Sequence, residues 1–271
     1  MGKAIPMPNI TVQIDRIFKS YDGTVQALNG LSLTMFDNEI LGLIGPNGAG
    51  KTTSIKILVG LLKADAGKVT VLGQDIEGDP ISYKAQIGYM PEAPSLPDYL
   101  TTSEFLGYVA RIRNVPKDQI EGKVQTFLKD LDMGVKSNEL ISTLSKGMRA
   151  KLAFAAATIH DPKLLILDEP LIGIDPAGQH LLKDRLTAIA HRGGSVLVST
   201  HQLDTAERLC TKVAIIHHGR NVATGDLAGL RQQAHAGAEQ SLEEIFLKLT
   251  EEAGQPEPEI PRRRGFFSKR R

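Results

Sequence analysis

The run Gly45-Pro46-Asn47-Gly48-Ala49-Gly50-Lys51-Thr52 has the form G-x-x-x-x-G-K-[ST], directly after a short apolar stretch and directly before helix-compatible sequence. That context gives each residue type a job. Gly45, Gly48 and Gly50 let the chain turn tightly and bring backbone N–H groups against phosphate oxygens, where a β-carbon would intrude. Pro46, Asn47 and Ala49 fill the variable positions of the same cradle. A helix starting near Lys51 offers unpaired N–H donors and a positive dipole end to an anion. Lys51 suits the β- and γ-phosphates, the Thr52 hydroxyl suits Mg²⁺, and Thr53 is placed for a further phosphate contact. Alone, the loop specifies a nucleoside triphosphate and leaves kinases, GTPases and ATPases open.

A second constellation narrows the reaction. Leu164-Leu165-Ile166-Leu167 is an apolar run that ends in Asp168 and Glu169. Neighbouring strand residues point in opposite directions, and ligands of open α/β sheets gather at the carboxyl ends of strands. Asp168 is placed to support Mg²⁺, and Glu169 to polarise or deprotonate the water that attacks the γ-phosphate. A positioned base contributes on the order of 10²–10⁴ in rate.

These residues need a sheet to carry them. Ile40-Leu41-Gly42-Leu43-Ile44 reads as a buried parallel strand, followed by a helix over about residues 51–62. Further short apolar strands are predicted at 68–72, 87–90, 164–167, 195–199 and 213–216, mostly separated by helical segments, so the class is α/β with parallel strands. The opening reads as β structure. Ile10, Val12 and Ile14 alternate with polar residues, as do Leu31, Leu33 and Met35, with a turn expected around Asn29-Gly30. Between residues 102 and 160 the period becomes helical, in Phe105, Val109 and Ile112, then Ile120, Val124, Phe127, Leu128 and Leu131, then Leu152, Ala155, Ala156 and Ile159.

Bulk properties exclude some classes of function. The 271 residues carry a formal net charge of +1. Six positive charges lie among the last ten residues (Arg262, Arg263, Arg264, Lys269, Arg270, Arg271), which leaves −5 for the rest. Nothing here marks a nucleic-acid binder. Residues 251–271 are expected to form a disordered basic tail, whose Phe266 and Phe267 and clustered cations suit either solvent or an anionic lipid surface. The single cysteine, Cys210, rules out an internal disulfide, suits a reducing compartment and reads as a small buried apolar residue. The N-terminus lacks the apolar stretch of a signal peptide, and no run reaches the roughly 18 apolar residues of a membrane span, so a membrane role is expected only through a partner.

With those residues in order, the sequence resembles the nucleotide-binding domain of ABC ATPases over roughly residues 8–250. The specific piece is Leu144-Ser145-Lys146-Gly147-Met148, which resembles the family's LSGGQ signature and lies shortly before the acidic strand. Tyr21 resembles the aromatic residue that stacks on adenine. Gly173-Ile174-Asp175-Pro176 resembles the D-loop, with Asp175 also a sensible helix N-cap before Pro176. Ser199-Thr200-His201 resembles the strand end that carries the switch histidine, which contacts the γ-phosphate. The resemblance implies a P-loop NTPase core, an N-terminal antiparallel β subdomain and a helical subdomain inserted at about residues 93–160. It implies ATP and Mg²⁺ as ligands and Glu169 and His201 as catalytic residues. Ser145 and Gly147 would touch ATP bound to the phosphate loop of a second cassette.

Two departures stand out. Glu92 takes the place where the family often has the glutamine of the Q-loop, and as a carboxylate it can still bind Mg²⁺ or position water. In the signature, Lys146 replaces a glycine and Met148 a glutamine, as in the ATPases of ABC-2-type exporters. Lys146 is expected to add positive charge near the partner's γ-phosphate. The implied cycle closes two cassettes head-to-tail around two MgATP and reopens them on hydrolysis. One full motif set in the chain makes a second copy the expected partner. Separate permease subunits are expected to dock on residues 93–99, stiffened by Pro94 and Pro97, which places the chain peripherally at the cytoplasmic face of the membrane. The rival readings are a soluble ABC ATPase working on ribosomes or DNA, a P-loop kinase or GTPase, and a cassette that binds nucleotide without hydrolysing it. The chain has neither the two cassettes nor the long coiled coil of the first, and no N-K-x-D motif for the second.

Overall fold

The computed structural model describes residues 9–237 and 239–253, so the expectations for the basic tail lie largely outside the described residues. Two sheets are stacked, with helices on the far side of one of them. The first sheet is antiparallel, built from β1 (Ile10–Tyr21), β2 (Val25–Phe36), β4 (Ala66–Val71) and β5 (Gln74–Asp75) in the order β2-β1-β4-β5. The second contains β3 (Ile40–Ile44), β6 (Ile87–Met90), β7 (Leu164–Asp168), β8 (Ser195–Thr200), β9 (Lys212–His217) and β10 (Arg220–Gly225) in the order β10-β9-β3-β8-β7-β6. All its neighbouring strands are parallel except β10, which returns antiparallel to β9.

The apolar runs at β3, β7 and β8 are continuous because both faces of this sheet are covered. Leu41, Leu43, Leu164, Ile166 and Leu197 point into the core between the two sheets, with Val12, Leu31 and Val69 opposite. Their neighbours Ile40, Leu165, Leu167, Val196 and Val198 point the other way, into the core shared with the helices. The two-residue period thus divides one apolar string between two cores. A third, smaller core gathers Ile44, Val213 and Ile215 with Leu230 of α8 (Leu227–Gln233) and Ile245 and Leu249 of α9 (Leu242–Ala253).

The remaining helices are α1 (Lys51–Leu58), α2 (Pro80–Lys84), α3 (Thr102–Ile112), α4 (Lys117–Asp130), α5 (Lys146–Thr158), α6 (Pro176–His191) and α7 (Leu203–Leu209). Helices α3, α4 and α5 follow one another between β6 and β7 with no named strand between them. A capping box starts α3: Thr101 accepts from the Glu104 N–H, and the Glu104 carboxylate accepts from the Thr101 N–H. Ser145 caps α5, and Asp175 caps α6 with Pro176 at its first position.

Three expectations need correction. The hairpin turns at residues 22–24, not at Asn29-Gly30, which lies inside β2. There Gly30 takes φ +74°, and the β1/β2 register shifts between Ile17 and Phe18, so its sequence signal marks a bulge rather than a turn. Helix α1 stops at Leu58 rather than near residue 62, because Gly60 takes φ +68° and the Leu61 N–H bonds back to the Lys56 carbonyl. On α3 the fully buried apolar residues are Leu106 and Ala110; Phe105 and Val109 are half-buried and Ile112 is 58% exposed. Cys210 packs its sulfur against Gly42 of β3, where an added Cβ would stand 2.7 Å from it, and burial pushes the thiol up to about 12.

Candidate functional site

Strand β3 delivers the phosphate loop and α1 receives it. Gly45 is pressed against the end of β9, where an added Cβ would lie 2.2 Å from the Ile216 carbonyl oxygen. Gly50 has φ +107°, and an added Cβ there would lie 2.6 Å from the Ala27 carbonyl oxygen. Space therefore requires both glycines, and at Gly50 the left-handed backbone requires one as well. The loop is also tied from behind. The Gly219 N–H, in the β9–β10 turn, donates to the Ala49 carbonyl at 2.9 Å, and the Asn29 N–H donates to the Gly219 carbonyl at 2.9 Å.

Lys51 is buried and curls back over the loop, donating to the Gly45 carbonyl at 2.7 Å and the Pro46 carbonyl at 3.1 Å. Burial pulls its pKa below the ordinary lysine value, and the carboxylates of Glu169, Asp168 and Glu92 oppose that pull. The loop therefore forms a cationic, donor-rich bed with acids around it.

Those acids come from the predicted places. Asp168 ends β7, is fully buried, and accepts a short hydrogen bond from the Ser199 hydroxyl. Glu169 leaves the strand with φ +50°, and its N–H reaches the carbonyl of Ser199 at 3.2 Å and the Ser199 Oγ at 3.2 Å. A left-handed backbone at a non-glycine residue is uncommon and tends to persist where the surroundings enforce it. His201, just beyond β8, meets the Glu169 carboxylate with Nδ1 2.8 Å from Oε1. An ionised carboxylate only accepts, so Nδ1 carries the proton, and Nε2 is left as an acceptor in the neutral ring.

One cleft of about 370 Å³ gathers Tyr21, all of residues 46–53, Glu92, Glu169 and His201. Tyr21 sits at the end of β1 with its hydroxyl 3.4 Å from Thr53 Oγ1. Asp168 lies beneath the cleft rather than on its wall. Ser145 and Gly147 do not line it; they sit at the exposed start of α5, next to the turn at Gly173. Two contributors were not assigned a role from sequence. Ser199 holds both acids, and Gly219 backs the phosphate loop. The first had a signal in its place immediately before Thr200-His201, and the second in the turn-forming pair His218-Gly219.

A glycine-rich loop between a parallel strand and a helix, with two acids on the next strand but one, defines a nucleoside-triphosphate hydrolase of the P-loop class. The profile of the ABC transporter family matches residues 28–172. Among curated relatives, the ABC-type transporter ATP-binding protein EcsA of Bacillus subtilis is 37% identical over 83% of this chain and 91% of its own. A Nod factor export ATP-binding protein I of a Rhizobium species is 34% identical over 86% of this chain and 76% of its own. A solved structure of the ATP-binding subunit of an ABC transporter superposes with a TM-score of 0.83 and 32% identity, covering 89% of this chain and 99% of that one. The chain belongs to the ABC transporter family, as its ATP-binding, ATP-hydrolysing cassette.

Proposed function

We propose that this cassette hydrolyses MgATP with Glu169 as base and drives export through separate permease subunits, as a dimer at the cytoplasmic face of the membrane. The observation that supports the chemistry is the convergence of Lys51, Glu169 and His201 on one cleft. The phosphate loop and Lys51 bind and neutralise the triphosphate. Glu169 takes up the proton of the attacking water, and His201 lines the same cleft, held beside Glu169 by the contact between Nδ1 and Oε1.

Among the described residues no group of three or more His, Cys, Asp or Glu side chains could hold a metal by itself. The oxygen donors nearby (Thr52, Asp168, Glu92) suit a hard cation that keeps phosphate and water oxygens in its shell. Mg²⁺ bound there would neutralise charge between the phosphates.

The printed name of the Nod factor export relatives supports export, and the position of Ser145 and Gly147 outside the chain's own cleft supports the dimer. None of the helices among the described residues is long and apolar enough to cross a membrane, which suits work through separate permease subunits. The segment 93–99 is the proposed docking surface, with Tyr99 80% exposed. Asp98 in it accepts from Arg149 of α5 at 2.7 Å, so displacement of the segment reaches the signature helix.

The test is steady-state ATPase activity of wild type and Glu169→Gln with Mg²⁺, with gel filtration in ATP. Glu169→Gln is expected to lose on the order of 10²–10⁴ in turnover while trapping ATP as a dimer. A variant that still turns over at the wild-type rate removes Glu169 from the base role.

A further inference from the structure

Lys146 breaks the family's signature pattern, and its placement in the fold gives it a use. It is the first residue of α5, and its side chain lies along the turn that follows the catalytic acid. A Cβ added to Gly173 would stand 2.8 Å from Lys146 Cε, 3.0 Å from Cδ and 3.3 Å from Nζ. The outer part of the side chain, from Cδ to Nζ, therefore occupies the space a side chain at Gly173 would need. Beside it, an added Cβ on Gly147 would lie 3.4 Å from the Gly173 carbonyl oxygen. Gly173 has φ +76°, so the turn presents bare backbone to the lysine.

That turn is a short relay of backbone bonds starting at the base. The Ile172 N–H donates to the Glu169 carbonyl at 3.3 Å, and the Ile174 N–H to the Leu171 carbonyl at 3.4 Å. The Gln179 amide bonds both Leu171 and Ile174 carbonyls, and Asp175 then caps α6. The bonds at 3.3–3.4 Å are at the long end of the range, so the relay itself is a weak restraint. Laying the Cδ–Cε end of the stem on it adds apolar contact that the backbone bonds lack. The ammonium has no carboxylate within ion-pair distance among the described residues, so no counter-charge dictates where the stem lies.

We infer that Lys146 is a positioning residue whose aliphatic stem clamps the Gly173 turn against the start of α5 and thereby fixes Glu169 for attack by water. It does this through contact and not through its charge. The inference rests on Glu169 being the base, and it revises the expectation that Lys146 serves as a cation toward a phosphate. A small misplacement of a catalytic group costs up to about 10²-fold.

The experiment compares full-length wild type, Lys146→Gly, Lys146→Met and Glu169→Gln by steady-state ATPase kinetics and by amide hydrogen exchange over residues 170–175. Lys146→Gly is expected to lower kcat on the order of 10-fold, with KM for ATP held within about twofold. It should also speed exchange at Ile172 and Ile174. Lys146→Met keeps an unbranched stem without the charge and should restore both readouts. A Met variant as impaired as the Gly variant in kcat overturns the inference in favour of the ammonium. Exchange in Lys146→Gly that matches wild type overturns it as well. If Glu169→Gln turns over normally, the base assignment fails first. If only Glu169→Gln is impaired, the clamp alone fails.

Discussion

The phosphate loop and the signature start are both glycine-bearing turns that open a helix, yet the fold treats them differently. The loop before α1 is enclosed by β9, by the Ala27 carbonyl and by the Gly219 turn, and its lysine is buried. The start of α5 stands at the surface, where Ser145 caps its own helix by accepting from the Met148 N–H at 3.3 Å. One turn is preorganised by the chain that contains it. The other has its local needs met and leaves a face free. The proposed pairing of two cassettes would use that asymmetry, with the exposed half closing on the enclosed one.

The largest expected effect comes from breaking the enclosed half by its geometry. Gly45→Ala forces a methyl 2.2 Å from the Ile216 carbonyl oxygen, so the loop must shift away from β9. ATP affinity measured by calorimetry should fall by on the order of 10²-fold or more, as expected when donors leave a phosphate they were aimed at. Retained affinity would show that the enclosure of the loop is incidental.

Ser199→Ala sharpens the same comparison at the acids. It leaves the fully buried Asp168 without its hydroxyl donor and removes one acceptor of the Glu169 N–H. Unsatisfied buried polar groups cost about 1–3 kcal/mol. An unfolding free energy lowered by that amount in urea denaturation, with turnover reduced in step, is the expected outcome.

On the exposed half, Ser145→Ala should cost about 1 kcal/mol of stability, the usual worth of an N-cap, and leave ATP binding to the isolated chain unchanged. Its other expected effect is loss of the ATP-dependent dimer on gel filtration. A variant that weakens nucleotide binding in the monomer would instead place Ser145 in its own chain's site.

The smallest effect is expected just past the other end of α5. His160 is half-buried, donates from Nε2 to the Ile87 carbonyl at 3.1 Å, and has a buried Nδ1 without a partner. Burial, and then the nearby Arg113, push its pKa below the ordinary histidine value. The unfolded chain therefore takes up this proton at a higher pH than the folded one. The neutral ring contributes stability that is fully present above the ordinary histidine pKa and is lost as pH falls below it. His160→Asn should flatten the fall in Tm between pH 7.5 and pH 5.5, read by differential scanning fluorimetry at several buffers.

The chemistry was more legible in the sequence than the geometry that holds it. Lys51, Asp168 and His201 sit at junctions where a periodic apolar run stops, and such junctions can be located without a fold. The strands that carry them were readable because Leu164, Leu165, Ile166 and Leu167 must each be buried on one face or the other. Gly30 was misread because a positive-φ glycine signals either a turn or a bulge, and only pairing with β1 decides which. Strand β10 escaped notice because Arg220, Asn221 and Thr224 break the apolar pattern on a strand at the sheet's edge. The role of Ser199 was hidden for another reason. Its two bonds cross between neighbouring strands, and no local pattern encodes a contact with residues 30 positions away.

Cys210 also bears on how the molecule can be observed. With its sulfur packed on Gly42, burial holds the thiol well above the ordinary cysteine value and disfavours the reactive thiolate near neutral pH. The native cysteine is therefore expected to react slowly with maleimides. A second cysteine introduced at Tyr99 or Val135, both more than three-quarters exposed, would take a fluorophore or spin label by itself. The distance between two such labels in a closed pair of cassettes could then be followed through the ATP cycle without altering the buried thiol.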